Sequence, residues 1–260
     1  MQDILIRSGQ RMVSLLDLTS LSGVETDADI EALCSRAFGP CGQVAAICVF
    51  PCHIPKVQAC LQHSSLQGIE LATVVNFPGG DLDPGGSVRE IEEALVLGAT
   101  EVDLVFPYRA FLAGRENEVE KYLDACRRVC PVRLKVILET GVLGTREAIH
   151  AAGSLAVDHG ADFLKTSTGK AAIHATPEAA RVMLEVSAQK GALTGFKASG
   201  GLRTMAEAQI YLDLAEEIMG RDWISPRTFR FGASSLLDDI LARTCPSEIC
   251  SSGTLPSECA

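Results

Sequence analysis

Positive charge is scarce in this sequence: 23 lysines and arginines stand against 33 aspartates and glutamates, a formal net charge of −10. A nucleic-acid backbone is bound through a basic footprint, so that partner is disfavoured and an anionic substrate would need a local positive pocket. Long apolar runs are missing too. None approaches the roughly 20 residues of a membrane span, and no membrane partner is expected. There is no CxxC, and His53, His63, His150, His159 and His174 share no spacing, so clustered zinc ligands are lacking and the histidines are not expected to be catalytic. GxSxG and P-loop motifs are also absent. The ten cysteines come without a signal-peptide pattern and are expected as reduced thiols in a cytoplasmic protein. Cys34, Cys48, Cys60, Cys126 and Cys130 lie in apolar or periodic stretches, where a free thiol acts as a small hydrophobe.

What is present is alternation. Short β-branched or apolar runs are each followed by a stretch of helical periodicity, the pattern of βα units around a parallel sheet. Strands are expected at residues 14–18, 44–50, 69–75, 101–106, 132–138, 161–165, 194–198 and 228–232, with helices near 27–38, 55–63, 86–97, 116–129, 145–159, 177–190, 204–219 and 234–243. Eight such pairs in 260 residues fit one α/β domain, a TIM (β/α)8 barrel over residues 1–243, although periodicity alone leaves a doubly wound open sheet in play. The stretch 244–260, rich in Ser, Pro, Cys and Glu, is expected to be a flexible tail.

Polar residues inside the apolar runs favour the closed form. Asp17, Asp103, Lys135, Glu139, Lys165 and Lys197 come from five strand candidates and fall within or at the ends of the runs, so a barrel would bring all six to its C-terminal rim. Alternation along ADFLK and GFKAS turns Lys165 and Lys197 inward. A buried lysine tends to lose its proton, a second cation nearby strengthens that tendency, and a neutral amine attacks carbonyl carbon. Asp103 is placed for proton transfer, or as the partner that neutralises a lysine. Three glycine-bearing segments, 166–170, 199–204 and 231–235, follow the last three strands and suggest a phosphate cradle, with Lys170, Arg203, Ser234 and Ser235 as further donors.

The segments LLDLTSL, AAICVFP, VNFPGG, EVDLVFPYRA, KVILETG, ADFLKTSTGK, GFKASGG and RFGASS, spread from Leu15 to Leu237, resemble deoxyribose-phosphate aldolase. The resemblance implies reversible cleavage of 2-deoxy-D-ribose 5-phosphate to D-glyceraldehyde 3-phosphate and acetaldehyde, without a cofactor or metal, in deoxyribose phosphate catabolism. It implies that Lys165 forms the Schiff base, Lys197 perturbs its pKa and Asp103 transfers protons. Asp17, Thr19, Cys48 and Lys135 would line the pocket, and Gly169, Lys170, Gly201, Arg203, Gly232, Ser234 and Ser235 would hold the phosphate. The partners are then the small phosphorylated sugar and acetaldehyde, with a homodimer among the assemblies open to it. Competing readings are another Schiff-base sugar-phosphate aldolase or transaldolase-like barrel, and a catalytically silent sugar-phosphate binder. Similar family members often end in a tyrosine that reaches back to the site, whereas this chain ends PSECA and has only Tyr108, Tyr122 and Tyr211. The metal-free reading predicts that EDTA leaves turnover unchanged. An activity lost to EDTA and restored by a divalent cation would overturn it.

Overall fold

Strands form where β-branched and apolar residues run together, and they close on themselves. The computed structural model describes residues 2–63 and 68–244. In chain order the strands are β1 (Leu16–Thr19), β2 (Ala46–Val49), β3 (Glu70–Val75), β4 (Glu101–Val105), β5 (Arg133–Ile137), β6 (Phe163–Lys165), β7 (Gly195–Ser199) and β8 (Phe229–Ala233). Each pairs in parallel with its sequence neighbours, and β1 closes the barrel against β8 with Asp17 opposite Gly232. All eight expected strands are present to within two residues at either end.

The helices are α1 (Gln2–Ser14), α2 (Asp27–Ser35), α3 (Ile54–His63), α4 (Pro84–Val96), α5 (Tyr108–Leu112), α6 (Glu116–Val129), α7 (Thr140–Leu143), α8 (Arg146–Asp158), α9 (Pro177–Gln189), α10 (Met205–Met219) and α11 (Ser235–Thr244). Threonine side chains cap α2, α8, α9 and α10, and Asp83 caps α4 by accepting from the Gly86 amide. That cap gives the glycine-rich segment 79–86 its purpose as the entry to α4. Helices α1, α5 and α7 lie outside the expected set. Helix α1 takes up the start of the first expected strand and packs against α11, where Gly9 lies against Thr244. Helix α2 ends earlier than its periodicity suggests, because the chain turns into a small hairpin, Phe38–Gly39 with Gly42–Gln43. Of the expected tail, Thr244 is the buried last residue of α11, and residues 245–260 lie outside those described.

The two faces of each strand carry different chemistry. Outward residues such as Leu16, Ile47, Leu71, Leu104, Val136, Leu164, Phe196 and Phe231 join one large apolar cluster with the helices. The inward face of β2 and β3 offers Ala46, Cys48, Ala72 and Val74, which form a separate small cluster with Leu21, Phe50 and Phe77. On the opposite wall β4 to β8 carry charges among their inward positions: Glu101, Asp103, Lys135, Lys165, Lys197 and Arg230 are all buried. Small side chains thus face long cationic ones across the barrel.

Packing in this interior is tight at Gly195, where a Cβ would stand 2.6 Å from the Phe163 ring. Gly195→Ala is expected to cost roughly 1–3 kcal/mol of stability, the usual range for overpacking a close-packed core. At about 2–4 °C per kcal/mol for a chain of this size, the melting temperature should fall by several degrees. An unchanged melting temperature would show that this floor relaxes freely.

Candidate active site

The strand register brings the charges together before any side chain is considered: Asp103 is opposite Lys135, Lys165 opposite Lys197, and Lys197 opposite Arg230. Asp103 is the hub. Its Oδ1 accepts from Lys135 Nζ at 2.7 Å, and its Oδ2 accepts from both Lys165 Nζ and Lys197 Nζ at 2.8 Å. Lys197 also donates to Asp17 Oδ2, whose other oxygen takes Arg230 Nη1 at 2.5 Å. Lys135 pairs in addition with Glu101 Oε2 at 2.6 Å, and Arg230 Nη2 reaches Glu101 Oε1 at 3.0 Å. Gly232 makes room for this, since a Cβ there would meet Lys197 Cε and Ser199 Oγ at 2.9 Å.

The lysines differ in how well they are paired. Lys135 pairs with three carboxylates, Glu101, Asp103 and, at 3.7 Å, Asp17, and Lys197 with two, whereas Lys165 has only an Asp103 oxygen that it shares with Lys197. Burial drives the Lys165 ammonium below the ordinary lysine value; Asp103 opposes that shift and Lys197 adds to it. For Lys197 and Lys135 burial acts in the same direction, but the carboxylates paired with each outweigh it and hold both amines above the ordinary value. Burial would raise the Asp103 carboxyl, yet the ammonium groups of Lys135, Lys165 and Lys197 keep it well below the usual range. Of the three amines, only Lys165 is therefore poised to lose its proton. Cys48 lies in the wall facing this cluster, and burial pushes its thiol up, away from nucleophilic thiolate.

Above the amines a cavity of about 310 Å³ opens between the loops after β6, β7 and β8. Thr19 and all seven residues expected to hold phosphate, Gly169, Lys170, Gly201, Arg203, Gly232, Ser234 and Ser235, line it. Ser235 is the first residue of α11, a helix start that favours an anion. Glu139, expected to converge with the central charges, stands instead beyond the end of β5 at φ 56° and accepts from the amide and hydroxyl of Thr168. It shapes the loop after β6 and does not join the cluster.

An aldolase family model, DeoC/LacD, matches residues 11–242. The chain belongs to the DeoC/LacD family of aldolases. Among solved structures it is similar to a candidate deoxyribose-phosphate aldolase from Toxoplasma gondii, at 25% identity and a TM-score of 0.85 over 93% of this chain and 97% of that one. A candidate deoxyribose-phosphate aldolase from Coccidioides immitis is 27% identical, with a TM-score of 0.77 over 92% and 96% of the two chains. The tetrameric deoxyribose phosphate aldolase from Aeropyrum pernix shares the fold, with 23% identity and a TM-score of 0.72 over 92% and 96%.

Two members of this aldolase's central network are absent from the residues expected on sequence grounds. Glu101 and Arg230 lie one inward position from Asp103 and Gly232, so the period-2 alternation that exposes the lysines exposes them as well. His174, grouped with the histidines of no expected role, lines the loop cavity. Among the described residues no group of His, Cys, Asp and Glu is arranged to hold a metal ion. No disulfide joins any of the seven described cysteines to one another, and Cys245, Cys250 and Cys259 lie outside the described residues. No described helix is long and apolar enough to cross a membrane.

Replacing Lys197 by leucine removes a like charge beside Lys165 and leaves Asp103 more strongly attractive to it, so both effects raise the Lys165 pKa. If activity follows the free amine, the acidic limb of the pH profile of kcat/KM should move to higher pH in Lys197→Leu, with partial recovery of rate in alkali. A limb that stays in place would uncouple the two lysines.

Proposed function

We propose that this aldolase reversibly cleaves 2-deoxy-D-ribose 5-phosphate to D-glyceraldehyde 3-phosphate and acetaldehyde through a Schiff base on Lys165. The observation that carries the reading is the position of Lys165: a buried amine with half a carboxylate for a partner, set below a cavity lined by glycine loops and the cations Lys170 and Arg203. A binder of sugar phosphates needs the loops but gains nothing from an activated amine.

The neutral Nζ of Lys165 attacks the C1 aldehyde of the open-chain sugar, and the resulting carbinolamine takes up a proton and loses water to give a protonated imine. A proton leaves the C3 hydroxyl, the C2–C3 bond breaks, and its electron pair moves onto C2 as an enamine conjugated with nitrogen. C3 becomes the aldehyde of glyceraldehyde 3-phosphate. Protonation at C2 and addition of water then release acetaldehyde and restore the amine. Asp103 acts chiefly as a fixed negative charge while three ammonium groups surround it. At the neutral amine and carbinolamine stages it faces two, Lys135 and Lys197, and there it is most basic and best able to carry a proton. The phosphate is held by Lys170, Arg203 and the donors of Gly169, Gly201, Gly232, Ser234 and Ser235. Asp17 and Lys135 keep Lys197 and Asp103 in place, and Thr19 and Cys48 bound the substrate. A homodimer is among the assemblies open to the chain, and its mass in solution decides between that and a tetramer such as that of the Aeropyrum pernix enzyme.

Acetaldehyde with borohydride should add a stable ethyl group to Lys165, which peptide mass mapping locates, and Lys165→Ala should abolish both labelling and release of glyceraldehyde 3-phosphate. Labelling confined to other lysines would remove the Schiff-base assignment. Turnover with a ketone donor but none with acetaldehyde would favour the transaldolase-like alternative.

A further inference from the structure

His174 lies in the loop between β6 and α9, and that loop is pinned at both ends. The Lys170 amide donates to Thr168 Oγ1 at 3.0 Å, and Thr176 caps α9 through the Ala179 amide. Between them Ile173 is pressed on Gly141, where a Cβ would collide with the Ile173 carbonyl oxygen. The histidine ring is thereby held against the turn that follows β7. A Cβ on Gly200 would stand 3.1 Å from His174 Nδ1, and one on Gly201 would stand 3.6 Å from its Cδ2. Both glycines have positive φ, 86° and 78°, and with His174 they line the same cavity as Lys170, Arg203 and Ser234.

Nδ1 is buried and has no hydrogen-bond partner among the described residues. A buried polar atom left in that state is costly, and it marks a place where a ligand supplies what the protein does not. A half-turn of the ring about χ2 keeps its volume in place while exchanging Nδ1 with Cδ2, so a nitrogen can be presented on either the Gly200 or the Gly201 side.

We propose that His174 is a further phosphate-binding residue of this site, its imidazole donating a hydrogen bond to the anion held over the Gly200–Gly201 turn. This rests on the reading of the loop cavity as the phosphate site. A ring N–H adds a directional donor to a pocket whose cations, Lys170 and Arg203, are long and exposed.

The test compares His174→Phe, which keeps a ring but no donor, with His174→Asn, which keeps a donor but no ring, and uses Arg203→Ala as the control for the pocket. In His174→Phe, KM for deoxyribose 5-phosphate should rise about tenfold, KM for unphosphorylated deoxyribose should move less than about twofold, and inhibition by inorganic phosphate should weaken in step. His174→Asn should recover part of the loss. Equal changes with both sugars, or a His174→Phe enzyme that matches the parent, would overturn the assignment, provided Arg203→Ala still shows the phosphate-selective loss. Should Arg203→Ala show no such selectivity either, the phosphate site itself is misplaced. Thermal melting of each variant separates misfolding from lost binding.

Discussion

The carboxylate of Asp103 is the interaction on which the interior depends. Isolated ions are expensive to bury, several kcal/mol each even after relaxation, so four buried cations survive here only because carboxylates are distributed among them. Among the fully buried groups, Lys135, Lys165, Lys197 and Arg230 share Asp17, Glu101 and Asp103, one positive charge in excess, and the half-buried Arg133 also pairs with Glu101. Lys165 has the fewest partners, and release of its proton removes the excess among the fully buried groups. On the proposed mechanism the nucleophile is thus selected by the pairing pattern as a whole, and no single neighbour accounts for it.

That pattern needs walls of unequal size. The inward residues of β2 and β3, Ala46, Cys48, Ala72 and Val74, are small and apolar, while β4 to β8 carry the long charged side chains. On the proposed mechanism, a larger residue on the first wall would crowd the approach of a carbonyl carbon to Lys165. A smaller one on the second would leave a carboxylate without its partner, a loss of about 3–5 kcal/mol for a buried pair.

Much of this is legible in the sequence because a closed parallel barrel turns period-2 alternation into geometry. The strands and the convergence of Lys165, Lys197 and Asp103 follow from charged residues on the inward face of apolar runs, whereas the family is legible only in the resemblance carried by whole segments such as ADFLKTSTGK and GFKASGG. Glu101 and Arg230 obey the same alternation but sit near strand starts, whereas the chemistry of a barrel is expected at the C-terminal ends. Helix α1 has Gly9, Met12 and Val13 as its buried residues, too few apolar positions to announce a helix without the α11 surface that receives them. Glu139 departs from expectation because a left-handed backbone conformation directly after a strand breaks the alternation on which its placement rests. His174 is hidden for a different reason: its environment is made by Gly141, Gly200 and Gly201, which are distant in sequence, and a loop has no period to reveal them.

The separation of tasks between strands and loops also bears on selectivity. Lys165 is fixed on β6, whereas Gly169 and Lys170 follow it on the same segment, and Ser234 and Ser235 follow β8. The parallel register through β7 ties these positions together, with Lys165 opposite Lys197 and Lys197 opposite Arg230. On the proposed function, an anion seated in the loops stands at a set distance from the amine, and the pocket would measure the number of carbons between a phosphate and a carbonyl. Binding energy from the phosphate is then available to orient the reacting carbon, because only a chain of the right length satisfies both ends at once.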